Sequence, residues 1–264
     1  MSEKTLLDTA HAAMMQNPED VQLRMSFYSI LADIEVFLLL EAEPKADMIE
    51  PQIVEVEGAR LVLGFDTAAR LSAFTGGPAP YAALSGRIMA QMLASEGAGL
   101  ALNLEVAPSS IMLPAEAMAW MCETLKAAPK EAAPTAKRKG GLAALKAPDI
   151  PEVLLHALDA KLSRAVGLAK VAYLVAKEEG GMMLAILGAK EPAQAPLAKA
   201  ASEALVFSGL EDTSLDVAFF NDSDALREQF GRAGLRFDVP QPSEADLQAP
   251  SAPGRDPSSP PKLR

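Results

Sequence analysis

Two stretches constrain the fold more than any others: QIVEVEGARLVLGFD at 52–66 and KVAYLVAKEEGGMMLAILG at 170–188. In each, aliphatic and β-branched residues flank a short glycine-containing turn, Glu57-Gly58 in the first and Glu179-Gly180-Gly181 in the second, which is the pattern of a β-hairpin. Strands this apolar need a second layer to bury them. Helical segments follow both, and each hairpin is succeeded by the same order of helix, strand, loop and helix. The expected fold class is α/β (α+β): two small mixed-sheet domains with helices packed on the sheets. The residues of the two blocks do not align, so the repetition is one of element order only.

Before the first hairpin the chain predicts a helix near 3–15 and a second after Asn17-Pro18-Glu19-Asp20. There Asn17 reads as a cap and Pro18 as a first-turn residue. A buried strand is expected at 35–40. After the hairpin come a helix at 67–74, a break at GGPAP, the short segment PYAAL, a helix at 86–95, the strand GLALNLEV and a helix opened by Pro114. The second block starts at Asp149-Ile150-Pro151 with a helix to about Val166. Beyond its hairpin it predicts a helix at 196–207, the strand SLDVAFF and the helix DSDALREQFGRAG.

Two stretches change character. AAPKEAAPTAKRKGGLAALKAP (127–148) is rich in Ala, Pro and Lys and reads as a flexible linker. The segment from Val239 to Arg264, dense in Pro and Ser, reads as a disordered tail. The expected domains are therefore 1–126 and 149–238.

The residues FYSILADIEVFLLL (27–40), ARLVLGFDTAARLSAF (59–74), PYAALSGRIMAQMLASEGAGLALNLEV (80–106) and the proline-opened helix at 114 resemble the N-terminal domain of the enhanced serine sensitivity protein SseB family. PEVLLHALDAKLSRAVGLAKVAYL and the stretch to VAFFNDSDALREQF look like that family's C-terminal domain. The chain departs from the family pattern at Leu104, where a proline usually follows the asparagine. It departs again at Phe65-Asp66-Thr67, where the family often has Phe-Thr. The resemblance implies no established reaction. It implies a link to amino-acid (serine) metabolism without naming a step.

The net charge is −11 and the isoelectric point near 4.8, which favours solubility and argues against a general nucleic-acid-binding surface, since that needs a basic face. One cysteine, Cys122, excludes an internal disulfide and any multi-cysteine metal site. No secretory pattern opens the chain, and the longest apolar runs, such as VFLLL at 36–40, are too short to span a bilayer. A cytoplasmic protein without a membrane partner is expected.

Four residues stand out as candidates for contact. Asn103, Ser109 and Ser110 lie where a strand ends and a loop leads to a helix, the place where α/β sheets hold ligands. The same residues also suit a loop that only bonds its own backbone. Trp120 lies off the stripe Met118, Met121, Cys122 and Leu125, which makes it a contact residue for its own chain or for a partner. That stripe makes Cys122 a buried, inert thiol. Glu152, His156 and Asp159 share one helix flank with Ser163, and a solvated row is the stronger reading than a metal site. Asp222, Ser223 and Asp224 read as a helix cap, and Lys137-Arg138-Lys139 as a solubilising cluster.

No catalytic residue, metal ligand or cofactor site is assigned. The expected function is a non-catalytic cytoplasmic interaction or regulatory protein with a protein partner. The alternative is a small-molecule-binding module, or an enzyme with its site near the 103–114 loop or the cleft between domains.

Overall fold

In the computed structural model, which describes residues 4–43, 49–126, 146–178, 180–210 and 213–242, the first helix begins at a capping box. The Thr5 hydroxyl accepts from the Asp8 N–H while the Asp8 carboxylate accepts from the Thr5 N–H, satisfying two donors that a helix start leaves open. This helix is α1 (Leu6–Gln16). Asn17 is its C-terminal cap, with its N–H on the Ala13 carbonyl; α2 (Val21–Asp33) is capped by Asp20, whose carboxylate takes the N–H groups of Gln22 and Leu23. The cap read at Asn17 thus falls three residues later, at an acidic side chain that suits the positive end of a helix.

Next come β1 (Glu35–Leu39), β2 (Ile53–Val56), β3 (Ala59–Phe65), α3 (Ala68–Thr75), β4 (Tyr81–Ser85), α4 (Gly86–Glu96), β5 (Gly99–Leu102), β6 (Ile111–Leu113) and α5 (Ala115–Lys126). The chain continues through α6 (Glu152–Ser163), β7 (Val171–Ala176), β8 (Met182–Leu187), α7 (Glu191–Phe207), β9 (Leu215–Phe220), α8 (Asp224–Ala233) and β10 (Leu235–Asp238). No helix among the described residues is long and apolar enough to cross a membrane.

The chain divides into two units. Of the described residues, the first holds those up to 126, 149–158 and 198–216; the second holds 146–148, 159–197 and 217–242. Helices α6 and α7 therefore contribute residues to both.

The sheet of the first unit runs β4-β1-β3-β5-β6, with β2 also on β3. The β3–β5 pair is parallel and the others are antiparallel. A parallel neighbour needs a crossover, here supplied by α3, β4 and α4. Glu57 and Gly58, both at positive φ, close the β2–β3 hairpin where the sequence predicts it. One face of the sheet carries Val36, Leu38, Val62, Leu100 and Leu102 into a core with α1, α2, α4 and α5. The other carries Leu61, Leu63, Phe65 and Ala101 beneath α3. Gly86, the first residue of α4, passes so close to α2 that a Cβ would sit 1.8 Å from the Leu31 carbonyl oxygen, so only glycine fits there.

The second unit's sheet runs β10-β7-β8-β9. Val171, Tyr173, Val175, Ala185 and Leu187 share one face with Phe230 of α8, whose ring stacks on Tyr173 at 6.0 Å. Ala172, Leu174, Leu184 and Ile186, of opposite register, are buried as well. Burial on both faces explains why these strands read as continuous apolar runs rather than alternating ones.

Several expectations change. PYAAL is a full edge strand, and GLALNLEV stops pairing at Leu102, because Asn103 and Glu105 turn into positive φ. Strands β6 and β10 are additional. Helix α7 begins five residues before the predicted start and carries Pro196 inside. Of the expected linker, residues 127–145, with Lys137-Arg138-Lys139, lie outside the described residues. Lys146 pairs with Ala176 through two backbone hydrogen bonds. At the first residues of the expected tail, the Val239 side chain is buried, Pro240 accepts from the Gly167 N–H, and Gln241 bonds the Ala169 carbonyl. Residues 243–264 lie outside the described residues.

Candidate functional site

The corner after β5 is built around a left-handed residue. Asn103, at φ 51°, donates its backbone N–H to the Gly64 carbonyl at 2.9 Å and turns the chain away from the sheet. Its side chain then faces inward. Oδ1 accepts from the Asp66 N–H at 3.1 Å, and Nδ2 donates to Ser109 Oγ at 2.9 Å. Ser109 donates in turn to Asp8 Oδ1 at 2.6 Å, which ties the loop to α1.

Arg70 lies at the centre. Thr67 caps α3, so Arg70 sits in the first turn, one turn beyond Asp66. Its Nη1 bonds both oxygens of Asp66, at 2.8 and 2.9 Å, and Asp8 Oδ1 at 3.1 Å; Nη2 bonds Asp8 Oδ2. Thr5 completes the set by donating its hydroxyl to Asp66 Oδ2 at 2.8 Å. The side chains of Arg70 and Asp8 are each only 1% exposed, and Asn103 and Ser109 are fully buried.

Burial pushes the Asp8 carboxyl up, but hydrogen bonds from Arg70, Ser109 and the Thr5 N–H, with the Arg70 charge, more than offset this and hold it well below the usual carboxylate range. His11, one turn further along α1, is pushed down by burial against the opposing pull of Asp8 and a hydrogen bond with the Pro108 backbone. Its ring lies 6.0 Å from Phe27.

Chemically, the set is closed. Ser109 has a carboxylate partner, as an activated nucleophile would, but a carboxylate with so low a proton affinity is a weak base. Both Asp8 oxygens are occupied, and no solvent reaches the serine. The geometry instead fastens α1 to the start of α3 and to the 103–114 loop. Of the three loop residues singled out by sequence, Asn103 and Ser109 meet in this network. Ser110 is exposed, with its N–H on the Ala107 carbonyl, and takes no part. Sequence reading passed over Asp8, Asp66 and Arg70. The available signals were the box Thr5-Leu6-Leu7-Asp8 and the i,i+4 pair Asp66 and Arg70.

A second ionic cluster joins three helices of the same unit. Arg87 of α4 bonds Asp33 at 2.6 Å and both oxygens of Glu203 at 2.6 and 2.7 Å. The hydrogen bonds to Glu203 lead in raising the guanidinium's proton affinity, ahead of the burial that opposes it.

Trp120 packs edge-on against Tyr28 at 5.2 Å and lies 6.2 Å from the Phe207 ring, while 38% of it stays exposed. Cys122 is buried in the predicted stripe. Glu152, His156, Asp159 and Ser163 are all exposed, and no group of three metal-ligating side chains occurs among the described residues. Ser223 caps α8, and Asp222 forms an ion pair with Arg227.

Residues 7–120 match the SseB protein N-terminal domain. The chain carries a domain of the SseB family, and this span includes Asp8, Asp66, Arg70, Asn103, Ser109 and Trp120. No curated protein and no solved structure matches the chain.

Proposed function

We propose that this chain is a non-catalytic interaction or regulatory protein, working in the cytoplasm, which engages a protein partner through the helical side of its first unit near Trp120. One observation carries this reading: at the strand-end corner, where a sheet of this kind would present a ligand, the buried polar side chains are already closed on one another. Trp120 meanwhile keeps over a third of its surface exposed beside two other rings. Tryptophan is enriched among the few side chains that carry most of the binding energy at protein interfaces. Residues 149–238 are proposed as the family's C-terminal domain. A link to amino-acid (serine) metabolism rests on the family resemblance alone.

The test is native mass spectrometry of the protein isolated from its own cells, as wild type and as Trp120→Ala, with folding of the variant checked by circular dichroism. A stoichiometric partner, retained by wild type and lost from the variant, is the expected result. A partner held equally by both would refute the Trp120 surface. Substrate turnover abolished by one Asp, Glu or Ser substitution would refute the non-catalytic reading.

A further inference from the structure

The helical face that carries Trp120 is built by the family-matched span, but one of its neighbours comes from far outside that span. Residues 198–207 of α7 belong to the first unit, and two of their side chains, one turn apart, reach this face. The Glu203 carboxylate accepts from Arg87 of α4 at both oxygens, and the Phe207 ring stands edge-on to Trp120 of α5. Phe207 is buried while Trp120 stays partly exposed, so the end of α7 covers part of the surface that the tryptophan would otherwise present.

Two features separate this contact from the closed network at Arg70. The Arg87 side chain is 34% exposed, against 1% for Arg70, so water reaches the clasp and salt screens it. Asp33 of α2 also holds Arg87, at 2.6 Å, so the guanidinium keeps a partner when Glu203 leaves and the freed carboxylate passes into water. Release therefore strands no buried charge, which is what makes breaking an ordinary buried pair so costly. The segment is also a helix end. Phe207 is the last residue of α7, the last turn has no basic side chain to complement the helix dipole, and Gly209 turns at φ 70° two residues on. Val206, in the same turn, is exposed. A helix end opens at lower cost than a helix middle.

We infer that residues 203–207 form an autoinhibitory cover: while Arg87 clasps Glu203, Phe207 occupies part of the surface a protein partner needs, and release of the clasp opens the Trp120 face to it. This rests on the Trp120 surface proposed above and adds its regulation. A cover that is closed most of the time lowers a partner's apparent affinity by the fraction of molecules that are open.

The cover is tested by amide hydrogen exchange on the full chain. Amides of residues 203–207 are expected to exchange through local opening, about tenfold or more faster than those of α4 and α5. Glu203→Gln should speed them about tenfold again, and added salt should speed them in wild type but not in the variant. Exchange of 203–207 in step with α4 and α5 in wild type would overturn the cover, even where the variant folds poorly. So would rates that neither salt nor Glu203→Gln changes. In native mass spectrometry a larger share of Glu203→Gln than of wild type should carry the partner. Equal shares, with the opening observed, would overturn the regulation and leave the Trp120 surface standing. A partner indifferent to Trp120→Ala would refute that surface and this inference with it.

Discussion

Replacing Arg70 by methionine removes the guanidinium that Asp8 and Asp66 share and leaves both carboxylates in a site where the arginine itself is 1% exposed. Removing one partner of a buried ion pair typically costs about 3–5 kcal/mol, because the remaining charge is neither solvated nor neutralised. Here two charges are left, so Arg70→Met is expected at or above the upper end of that range. Asp8→Asn is milder: Arg70 keeps Asp66, the shape is preserved, and the loss is about 1–3 kcal/mol for weakened hydrogen bonds. For a chain of this size the arginine variant should melt roughly 10–20 °C lower. The assay is urea unfolding followed by tryptophan fluorescence; Trp120 is the sole tryptophan and reports the unit that contains the network. The double variant should cost less than the sum of the two single ones, since the second substitution then removes a group whose partner has already gone. An Arg70→Met cost below about 1 kcal/mol, or an Asp8→Asn cost exceeding it, would refute the reasoning.

Acid should destabilise the fold in two stages. The His11 ring, whose proton affinity is held below its ordinary 6.5, subtracts stability as pH falls through 6.5. The Asp8 contribution is complete above its ordinary 3.8 and is lost as pH falls below that value. Asp8→Asn should flatten the lower limb in urea melts taken across this range and deepen the upper one, because His11 loses the carboxylate that favours its charged form. Gly86→Ala would force its methyl carbon against the Leu31 carbonyl and should cost about 3 kcal/mol or more, read as a lower urea midpoint. Arg87→Ala removes the hydrogen bonds that Asp33 and the buried Glu203 take from the guanidinium; a loss of about 2–3 kcal/mol is expected, and Glu203→Gln, which keeps the hydrogen-bonding shape, should lose less.

The elements most legible from sequence were those fixed by local chemistry. Glu57-Gly58 dictates its hairpin through the turn, and the spacing of Met118, Met121, Cys122 and Leu125 dictates the buried side of α5. Strand β6 was invisible because three residues after a turn carry no periodicity, and its pairing with β5 is set by a fold-back that begins at Asn103. Asn103 and Ser109 stood out because they lie at a strand end, but what they touch comes from far along the chain: Asp8 is 101 residues from Ser109 and Arg70 is 62 from Asp8. A helix pattern shows an acidic residue in the first turn of α1 as an ordinary cap. Nothing local says that the same carboxylate also closes a buried network. Trp120 was legible as an off-stripe aromatic, whereas its neighbours Tyr28 and Phe207 come from distant helices and could be assigned only from the structure.

The most direct test of the proposed function is to compare wild-type and Trp120→Ala protein, each recovered from its own cells and measured by native mass spectrometry. The account expects a stoichiometric protein partner on the wild type and its absence from a folded variant. A partner retained in full by Trp120→Ala would contradict it.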